Sequence, residues 1–245
     1  MKVVAFIPAR FGSTRLNGKP LADICGKPMI QWVYEKARAA RLVNDVTVAT
    51  DDERVMRAVR EFGGKAVLTS TAHASGTDRV AEAVRGTHAD IIVNVQGDEP
   101  LIEPRLIDQA VAPMLDDPGL SLCTLKTRIR DEHEYRDPNA VKVVTDKDGY
   151  ALYFSRSPLP HYRTPFDEAA HPAFKHIGLY VYRRDFLVEF SALKPAPLEK
   201  CEHLEQLRAL ENGFRIKVVE TDYNPVSVDT PEDLERVRSL MKKGK

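Results

Sequence analysis

Three cations crowd one short loop near the start of the chain. Arg10, Arg15 and Lys19 lie in the segment PARFGSTRLNGKP, which also carries two glycines and follows the apolar run KVVAFI. Glycine lets backbone N–H groups approach phosphate oxygens, arginine can hold two oxygens at once, and lysine supplies a mobile point charge. The loop therefore predicts a polyphosphate site. A plain solvated surface loop is the alternative that these residues leave open.

The loop does not match the common phosphate-binding patterns. It lacks the Walker spacing GxxxxGK[ST] and the dinucleotide pattern GxGxxG. Each of those patterns places glycines for a particular close approach of backbone to phosphate. The sequence therefore disfavours a P-loop ATPase and a dinucleotide-binding enzyme.

A triphosphate needs a metal, and two carboxylates are candidates to hold it. Asp98 comes directly after the apolar run DIIVNVQ and beside Gly97, which permits close backbone approach. A carboxylate there suits Mg²⁺, which takes few protein ligands and keeps phosphate oxygens and water. Asp229 stands before the last predicted helix, where Asp and Thr are usually caps. The spacing leaves Asp229 open between a metal ligand and a cap, and Asp98 between a ligand and a turn residue.

Alternating strands and helices must position these residues. Four apolar runs predict strands, at 2–7, 45–50, 65–69 and 90–96. Four amphipathic segments predict helices, at 29–40, 51–64, 77–86 and 104–115. Several runs are apolar on both faces, as in parallel strands covered by helices. The alternation predicts an α/β fold with a mostly parallel, doubly wound, twisted sheet, which binds ligands at the carboxyl ends of its strands.

The middle of the chain changes character. Residues 140–160 predict two strands joined by a turn at Asp148–Gly149, and the run KHIGLYVYR predicts a return to the sheet. Between them, residues 158–172 carry four prolines and predict a mobile loop. We treat this hairpin and loop, about 137–183, as an excursion from a single domain that spans 1–245.

The last third predicts two helices and a strand. The segment PLEKCEHLEQLRALENG predicts one helix that ends at Gly213, and RIKVVE predicts a strand. The final helix follows VDTP, with Thr230 as its cap and Pro231 at its first position. The leucines at 204, 207 and 210 have helical spacing and predict packing.

Composition excludes several classes of protein. The chain has 245 residues with 36 basic and 36 acidic side chains, so nothing global points to nucleic acid or to an anionic membrane. No apolar run approaches the roughly 20 residues that span a bilayer. The three cysteines show neither a metal spacing nor a disulfide framework, and the N-terminus lacks a signal peptide's features. The sequence predicts a cytoplasmic protein.

A set of segments distributed over residues 2–240 resembles one known family. The motifs are PARFGSTRLNGKPL, ATDD, SGTDR, NVQGDEP, NAVKVV, ALYFSR, KHIGLYVYR, LEQLR and VDTPEDLERVR. Together and in this order they resemble the 3-deoxy-manno-octulosonate cytidylyltransferases, also called CMP-Kdo synthetases. The resemblance implies a Rossmann-like nucleotidyltransferase fold and the Mg²⁺-dependent reaction of CTP with 3-deoxy-manno-octulosonate (Kdo) to give CMP-Kdo and pyrophosphate. The product would serve lipopolysaccharide or capsule assembly.

The resemblance also assigns roles around the nucleotide and the metal. It implies that Lys19, Arg15, Asp98 and Asp229 are catalytic, and that Asp98 and Asp229 bind Mg²⁺. The nucleotide-binding residues that it implies are Arg10, Ser13, Arg15, Lys19, Ser75, Gly76, Thr77, Arg79 and Gln96. From the residues alone, SGTDR would sooner be a helix start capped at Thr77.

The same resemblance implies a site for the acid sugar. Its members are Arg156, His176, Tyr180, Glu205 and Gln206. Arg156 would pair with the sugar carboxylate, Glu205 and Gln206 would bind hydroxyls, and His176 would touch the sugar or accept a proton. Packing roles for His176 and Tyr180 stay open. The family also places residues 158–175 near the sugar site, which makes this segment a candidate lid. It further implies a homodimer, with the middle hairpin and a nearby helix as its contact.

Three rival functions remain at this stage. The same chemistry on 8-amino-Kdo or on sialic acid needs no change in the nucleotide motifs. A metal-dependent glycosyltransferase usually shows an Asp-x-Asp pair, whereas this chain has Asp98–Glu99. A non-enzymatic nucleotide-binding regulator would need affinity but no metal-activated leaving group. The joint presence of Arg15, Lys19, Asp98 and Asp229 therefore argues against it.

Overall fold

The chain folds around a twisted sheet with helices on both faces. The computed structural model describes residues 1–12, 16–167, 169 and 172–243. Its strands are β1 Val3–Ala9, β2 Asp23–Ile24, β3 Lys27–Pro28, β4 Asp45–Thr50, β5 Ala66–Leu68, β6 Ile91–Asn94, β7 Leu122–Ile129, β8 Lys142–Thr145, β9 Ala151–Ser155, β10 Ala173–Arg183 and β11 Lys217–Thr221. Its helices are α1 Met29–Arg38, α2 Glu53–Glu61, α3 Gly76–Val84, α4 Pro104–Asp116, α5 Glu132–Arg136, α6 Arg184–Ala192, α7 Pro197–Glu202, α8 Leu207–Glu211 and α9 Pro231–Lys243.

The main sheet is largely parallel. Its strand order is β11-β7-β10-β6-β1-β4-β5, and β1 pairs in parallel with both β4 and β6. β10 runs antiparallel between β6 and β7, while β11 pairs in parallel with β7. The predicted α/β fold and its four predicted strands are therefore confirmed. Because the carboxyl ends of β1 and β6 are neighbours, the basic loop and Asp98 meet at one edge.

Alternate residues of β1 feed two separate cores. Ala5 and Ile7 pack in the cluster that includes α1, α2 and α4. Val4 and Phe6 pack in the cluster that includes α3, α6 and α8. Phe6 and Ile7 are fully buried, and a side chain of this size contributes about 1.5–3 kcal/mol when it leaves water. The central strand is therefore fixed from both faces, and the loop that follows it has a rigid base.

Side-chain caps set the starts of the helices near this edge. Ser75, and not Thr77, caps α3, since its hydroxyl accepts the Asp78 N–H at 3.1 Å. At the start of α9 the Thr230 hydroxyl accepts the Asp233 N–H at 3.2 Å, and the Asp233 carboxylate accepts the Thr230 N–H at 2.9 Å. This reciprocal capping confirms the predicted start of the last helix.

Several elements escaped sequence prediction: the strands β2, β3 and β7 and the short helix α5. Strand β7 lies inside the sheet, between β11 and β10, although it carries Lys126 and Arg128. The Lys126 ammonium is buried against the Phe174 ring at 4.1 Å and donates to Thr145 Oγ1 at 2.9 Å, so its charge has partners. Helix α6 was also missed. The polar residues of β7 make its sequence resemble that of a loop, because the groups that pair with them in the fold are distant in the chain.

The prediction of one helix over 197–213 is wrong. His203 adopts a left-handed φ of 52° and separates α7 from α8. Leu204 and Leu207 are buried, as their spacing predicted. Arg208 ties the two helices, since its Nε donates to Glu199 Oε2 at 2.8 Å, and both side chains are almost buried. Burial raises the pKa of Glu199, but the hydrogen bonds from Arg208 and from the Ala196 N–H, together with the charges of Arg208 and Lys200, outweigh it and hold the pKa below 4.5.

The middle hairpin forms as predicted. β8 and β9 pair antiparallel, with Val143 opposite Phe154, and Gly149 takes a left-handed φ of 77° in the turn. Residues 158–167 follow without helix or strand. Tyr162 and Phe166 pack on the Tyr135 ring, with centroids 5.1 and 5.2 Å away. The role of this segment as a lid stays a prediction.

The Arg208–Glu199 pair gives a stability prediction. Arg208→Met should lower the free energy of unfolding by about 3 kcal/mol, because removal of one partner leaves a carboxylate buried without its cation. Urea-induced unfolding measures this loss. The difference in unfolding free energy between the wild type and Arg208→Met should shrink as the pH falls below about 4.5. Glu199 then becomes protonated, first in the unfolded state and at lower pH in the folded state, and a neutral carboxyl no longer needs the cation.

Arg105→Met is the matched control. Arg105 forms surface pairs with Glu103 and Asp222, and half of its side chain is exposed, so its loss should cost no more than about 1 kcal/mol. Equal losses in the two variants would contradict the structural role of the buried pair.

Candidate nucleotide and metal site

A cavity of about 330 Å³ opens at the carboxyl ends of β1 and β6. Its wall holds most of the residues predicted to bind the nucleotide and the metal. Those residues are Arg10, Lys19, Ser75, Gly76, Arg79, Gln96, Asp98 and Asp229. Ser13 and Arg15, which were also predicted there, lie outside the described residues. Thr77 has its side chain buried behind the wall, next to Glu205.

Lys19 lies at the centre of the polar wall. Its ammonium donates to Asp98 Oδ2 at 2.7 Å, to Asp229 Oδ1 at 3.2 Å and to the Val228 carbonyl at 3.1 Å. Gly18 precedes it with a left-handed φ of 67°, a conformation that glycine adopts without strain. Residues separated by 79 and 210 positions from Lys19 in the chain therefore converge on one cation.

Asp98 owes its position to a close backbone contact. A Cβ on Gly97 would lie 2.9 Å from the Pro8 carbonyl oxygen, so only glycine fits between the ends of β6 and β1. The Asp98 carbonyl accepts the Val228 N–H at 2.9 Å. This bond ties the end of β6 to the segment that carries Asp229. The prediction that Gly97 permits close backbone approach is confirmed.

The opposite wall is the start of α3. Gly76 packs against the Pro8 ring, and Ser75 caps the helix with its N–H groups at the cavity wall. Arg79 is 3% exposed and donates to Asp51 Oδ2 at 2.7 Å and to Thr69 Oγ1 at 2.6 Å. Arg79 thus fastens α3 to the end of β4. A helix N-terminus on this wall favours an anionic ligand.

Gln96 links this cavity to a second one. Its side-chain amide donates to the Gly178 carbonyl at 3.0 Å, at an irregularity in β10. Gly178 lines a second cavity of about 750 Å³, and Asp229 lines both cavities. The two spaces therefore share a border formed by an amide and a carboxylate, so ligands in them would be neighbours.

His176 lines the second cavity and is held in one tautomer. Thr124 Oγ1 lies 2.9 Å from His176 Nε2 and within 3.0 Å of the carbonyls of Ile177 and Leu179. The hydroxyl has one proton, which the carbonyls take, so His176 Nε2–H donates to the hydroxyl oxygen. Burial lowers the pKa of His176 to about 3, so the ring stays neutral at neutral pH. It is a weak base there and is better suited to a hydrogen bond than to proton abstraction.

The remaining residues predicted to bind the sugar lie apart from the cavity linings. The Tyr180 ring lies beside the His176 ring at a tilt, with centroids 5.3 Å apart, and Glu205 accepts a hydrogen bond from Thr77. Burial raises the pKa of both Glu205 and Tyr180. Gln206 is buried at the start of α8.

The Arg156 guanidinium donates to the carbonyls of Glu202 at 2.7 Å and Pro138 at 3.1 Å, so the hairpin and α7 hold it.

Several lining residues carried no prediction. His73 and Ala74 extend the first cavity beside Ser75, and the His73 ring pairs with the Glu82 carboxylate. They directly precede SGTDR, so extension of that motif by two residues would have found them.

In the second cavity Lys175 donates to Asn224 Oδ1 at 2.6 Å. Burial, and then the charge of Asp98, raise the pKa of Glu99 to about 8.

The donor set fits a magnesium ion. The carboxylates of Asp98 and Asp229 both reach one cation, the Lys19 ammonium, so both can reach one metal. Two carboxylates with phosphate oxygens and water are the ligands that Mg²⁺ prefers. Within the described part of the chain, no group of three or more His, Cys, Asp and Glu side chains could hold a metal. The pair therefore suits a metal that a substrate helps to bind. No described helix is long and apolar enough to cross a bilayer.

Comparisons with known proteins agree on one family. The family described as "Cytidylyltransferase" matches residues 4–218. The 3-deoxy-manno-octulosonate cytidylyltransferase of Geotalea uraniireducens is 58% identical over 99% of this chain and 100% of its own length. That of Geobacter sulfurreducens is 57% identical, with the same coverage of both chains.

Solved structures agree as well. A structure of CMP:2-keto-3-deoxy-manno-octonic acid synthetase complexed with CTP superposes with a TM-score of 0.95, at 48% identity and full coverage of both chains. A cytidylyltransferase from Leptospira borgpetersenii has a TM-score of 0.65 at 19% identity, covering 99% of this chain and 87% of its own, and so shares the fold alone.

The contact at Gly97 gives a prediction about the site. Gly97→Ala should force the ends of β1 and β6 apart, cost about 1–3 kcal/mol of unfolding free energy and weaken nucleotide binding as Asp98 moves. Thermal unfolding and titration with CTP measure the two effects. Gly86→Ala is the control, because no atom lies within 4 Å of the added Cβ. Wild-type behaviour of the Gly97 variant would show that the close approach does not position Asp98.

Proposed function

The chain belongs to the 3-deoxy-manno-octulosonate cytidylyltransferase family, and on that premise we propose that it transfers the cytidylyl group of CTP to Kdo. The anomeric hydroxyl oxygen of Kdo forms a bond to the α-phosphorus, and the bond from that phosphorus to the bridging oxygen breaks. The products are CMP-Kdo, pyrophosphate and the proton of the hydroxyl. The observation that carries the proposal is the convergence of Lys19, Asp98 and Asp229 at the carboxyl edge of the sheet.

The first cavity is the proposed site of CTP. Arg10 and Lys19 supply positive charge, and the start of α3 supplies backbone N–H groups. Arg15 and Ser13 are proposed to act beside them. Phosphoryl transfer of this kind depends mainly on positioning and on charge neutralisation, which this wall is built to provide. Ser75 and Gln96 are polar groups at the cavity wall that suit recognition of a ribose or a neutral base, and Thr77 is proposed to support them from behind the wall.

Mg²⁺ is the proposed cofactor, with Asp98 and Asp229 as its protein ligands. When bound, the ion would neutralise charge on the phosphates and lower the pKa of a hydroxyl that contacts it. The two carboxylates come from separate segments that the Asp98–Val228 backbone bond holds together. Their fixed separation is this chain's contribution to the metal site.

The second cavity is the proposed site of the sugar. It borders the first at Asp229 and Gln96, so a hydroxyl bound there would face the α-phosphate. His176 would hydrogen-bond a sugar hydroxyl in its neutral form. Tyr180, Glu205 and Gln206 are proposed to shape this side of the site. The cation that receives the sugar carboxylate is proposed to be Arg156, released from the carbonyls that hold it in this structure.

We propose further that the protein is a cytoplasmic homodimer. Leu152 on β9 is 63% exposed and Leu198 on α7 is 40% exposed, which places apolar side chains on the hairpin and the helix expected at the contact. Cys25, Cys123 and Cys201 are unpaired, as is usual in a reducing compartment.

Pyrophosphate release tests the proposed function. The protein is supplied with CTP and Mg²⁺, and Kdo, 8-amino-Kdo or sialic acid is added in separate reactions. Release with Kdo above the other two acids supports the proposal. Release only with 8-amino-Kdo or only with sialic acid would support cytidylyl transfer from CTP, but to that acid and not to Kdo. No release with any of them contradicts a cytidylyltransferase and leaves a nucleotide-binding role.

Asp98→Asn should abolish turnover. The substitution removes the negative charge that would hold the metal and keeps the size of the side chain, so the expected loss is at least about 100-fold. Steady-state pyrophosphate release measures it. Asp116→Asn is the control, since this exposed residue lies at the end of α4, on the opposite edge of the sheet. A fully active Asp98 variant would remove this carboxylate from the site.

Glu205→Ala should raise the KM for Kdo more than the KM for CTP. Glu205 lies on the side of the site proposed for the sugar, although its hydrogen bond to Thr77 also touches the nucleotide wall. The two KM values, each measured at saturation of the other substrate, separate these effects. Glu189→Ala on the exposed face of α6 is the control. Equal changes in both KM values would place Glu205 outside the sugar pocket.

A further inference from the structure

We propose that the Lys19 ammonium is an internal cation that holds the metal position until the nucleotide arrives. The metal then binds together with CTP and not before it. This inference rests on the proposed function, because it takes the Asp98–Asp229 pair as the metal site. It adds an order of binding that neither the fold nor the reaction requires.

The contacts of Lys19 are those of a bound cation. The ammonium touches one oxygen of each carboxylate, at 2.7 and 3.2 Å, and a backbone carbonyl at 3.1 Å. All three acceptors are oxygens, the ligand type of Mg²⁺. Only 17% of the Lys19 side chain is exposed, so the ammonium is largely sheltered from water and from screening by salt.

The ammonium and a divalent ion cannot share this place. A metal bound to both carboxylates would lie about 2.1 Å from their oxygens, and so within a few ångströms of the ammonium. Two like charges at such a distance in a partly buried site repel by several kcal/mol. The metal can therefore enter only if Lys19 leaves. In the absence of nucleotide, departure of Lys19 would cost three charge-assisted hydrogen bonds, two of them to carboxylates.

A triphosphate removes that cost. The backbone of Lys19 is fixed, because its N–H donates to the Leu16 carbonyl at 3.2 Å and the Gly18 N–H donates to the Phe11 carbonyl at 3.2 Å. The side chain beyond it is a flexible stem that can turn to a phosphate without movement of the loop. Phosphate oxygens then replace the carboxylates as partners of Lys19 and also serve the metal as ligands. Binding of metal and nucleotide is therefore mutually favourable.

The same contact explains how the site stays assembled without a ligand. Asp98 and Asp229 would repel each other if no cation lay between them. Lys19 neutralises part of that charge and keeps the end of β6 against the segment before α9, where the Val228 N–H meets the Asp98 carbonyl at 2.9 Å. The site is thus preorganised for the metal by a cation that the nucleotide can displace.

Titration with Mn²⁺ in the absence of nucleotide tests the proposal. Mn²⁺ stands in for Mg²⁺, and electron paramagnetic resonance counts the free ion. Wild-type protein should bind Mn²⁺ weakly. Lys19→Met, which keeps the length of the stem and removes the charge, should bind it at least about tenfold more tightly, since each hydrogen bond to a charged group is worth about a factor of ten.

Three further variants make the result specific. Lys19→Arg keeps the positive charge, so it should bind Mn²⁺ as weakly as the wild type. Lys19→Gln repeats the test if the Met variant does not fold. Asp98→Asn added to Lys19→Met should abolish the gained affinity, which would locate the new site at the carboxylates. Equal Mn²⁺ affinity in the wild type and in a folded Met or Gln variant would overturn the proposal. A tight nucleotide-independent site in the wild type that Asp98→Asn removes would overturn it as well.

The outcome is separable from that of the proposed function. Tighter Mn²⁺ binding in Lys19→Met without pyrophosphate release from the wild type would leave the internal cation in place and reject the reaction. Pyrophosphate release by the wild type, with unchanged Mn²⁺ affinity in Lys19→Met, would support the reaction and reject the internal cation.

Discussion

The ion pairs of Lys19 with Asp98 and Asp229 are the interaction on which the site depends. They join the first loop, the end of β6 and the segment before α9, which are far apart in the chain. The backbone at Lys19 and the segments that carry the two aspartates are held by their own hydrogen bonds, so the three side chains start from fixed positions. Charge of both signs is thus concentrated at one point of a chain with no net charge. Such concentration is what a triphosphate and its metal require.

The sheet makes this convergence possible through a close approach of two backbones. β1 and β6 are parallel neighbours, and the Pro8 carbonyl lies so near Gly97 that a side chain there would collide with it. The buried residues on both faces of β1 fix that edge. The start of α3 faces the same edge because the buried Arg79–Asp51 pair fastens the helix to β4. Packing therefore determines the width of the cavity.

On the side proposed for the sugar, buried polar groups replace exposed charge. Thr124, in a strand that resembles a loop by sequence, fixes the tautomer of His176. Glu205 contacts Thr77 behind the nucleotide wall, so the turn between α7 and α8 touches the helix that borders CTP in our proposal. Burial lowers the pKa of His176 to about 3, so this ring is a weak base at neutral pH, whereas burial raises the pKa of the Glu205 carboxyl. His176 is thus suited to recognition of a ligand by a hydrogen bond and not to proton abstraction.

The sequence by itself determined the local features of this protein. The apolar runs predicted the strands of the parallel sheet, the cap at Thr230 predicted the start of α9, and Gly149 predicted the β8–β9 turn. Each of these signals lies in residues that are neighbours in the chain. The tertiary structure alone decided three others: the place of β7 in the sheet, the break at His203, and the partners of Lys19 and Arg156. Each depends on groups that are distant in the chain. A buried lysine or a left-handed histidine becomes favourable only when such groups satisfy its charge or its backbone.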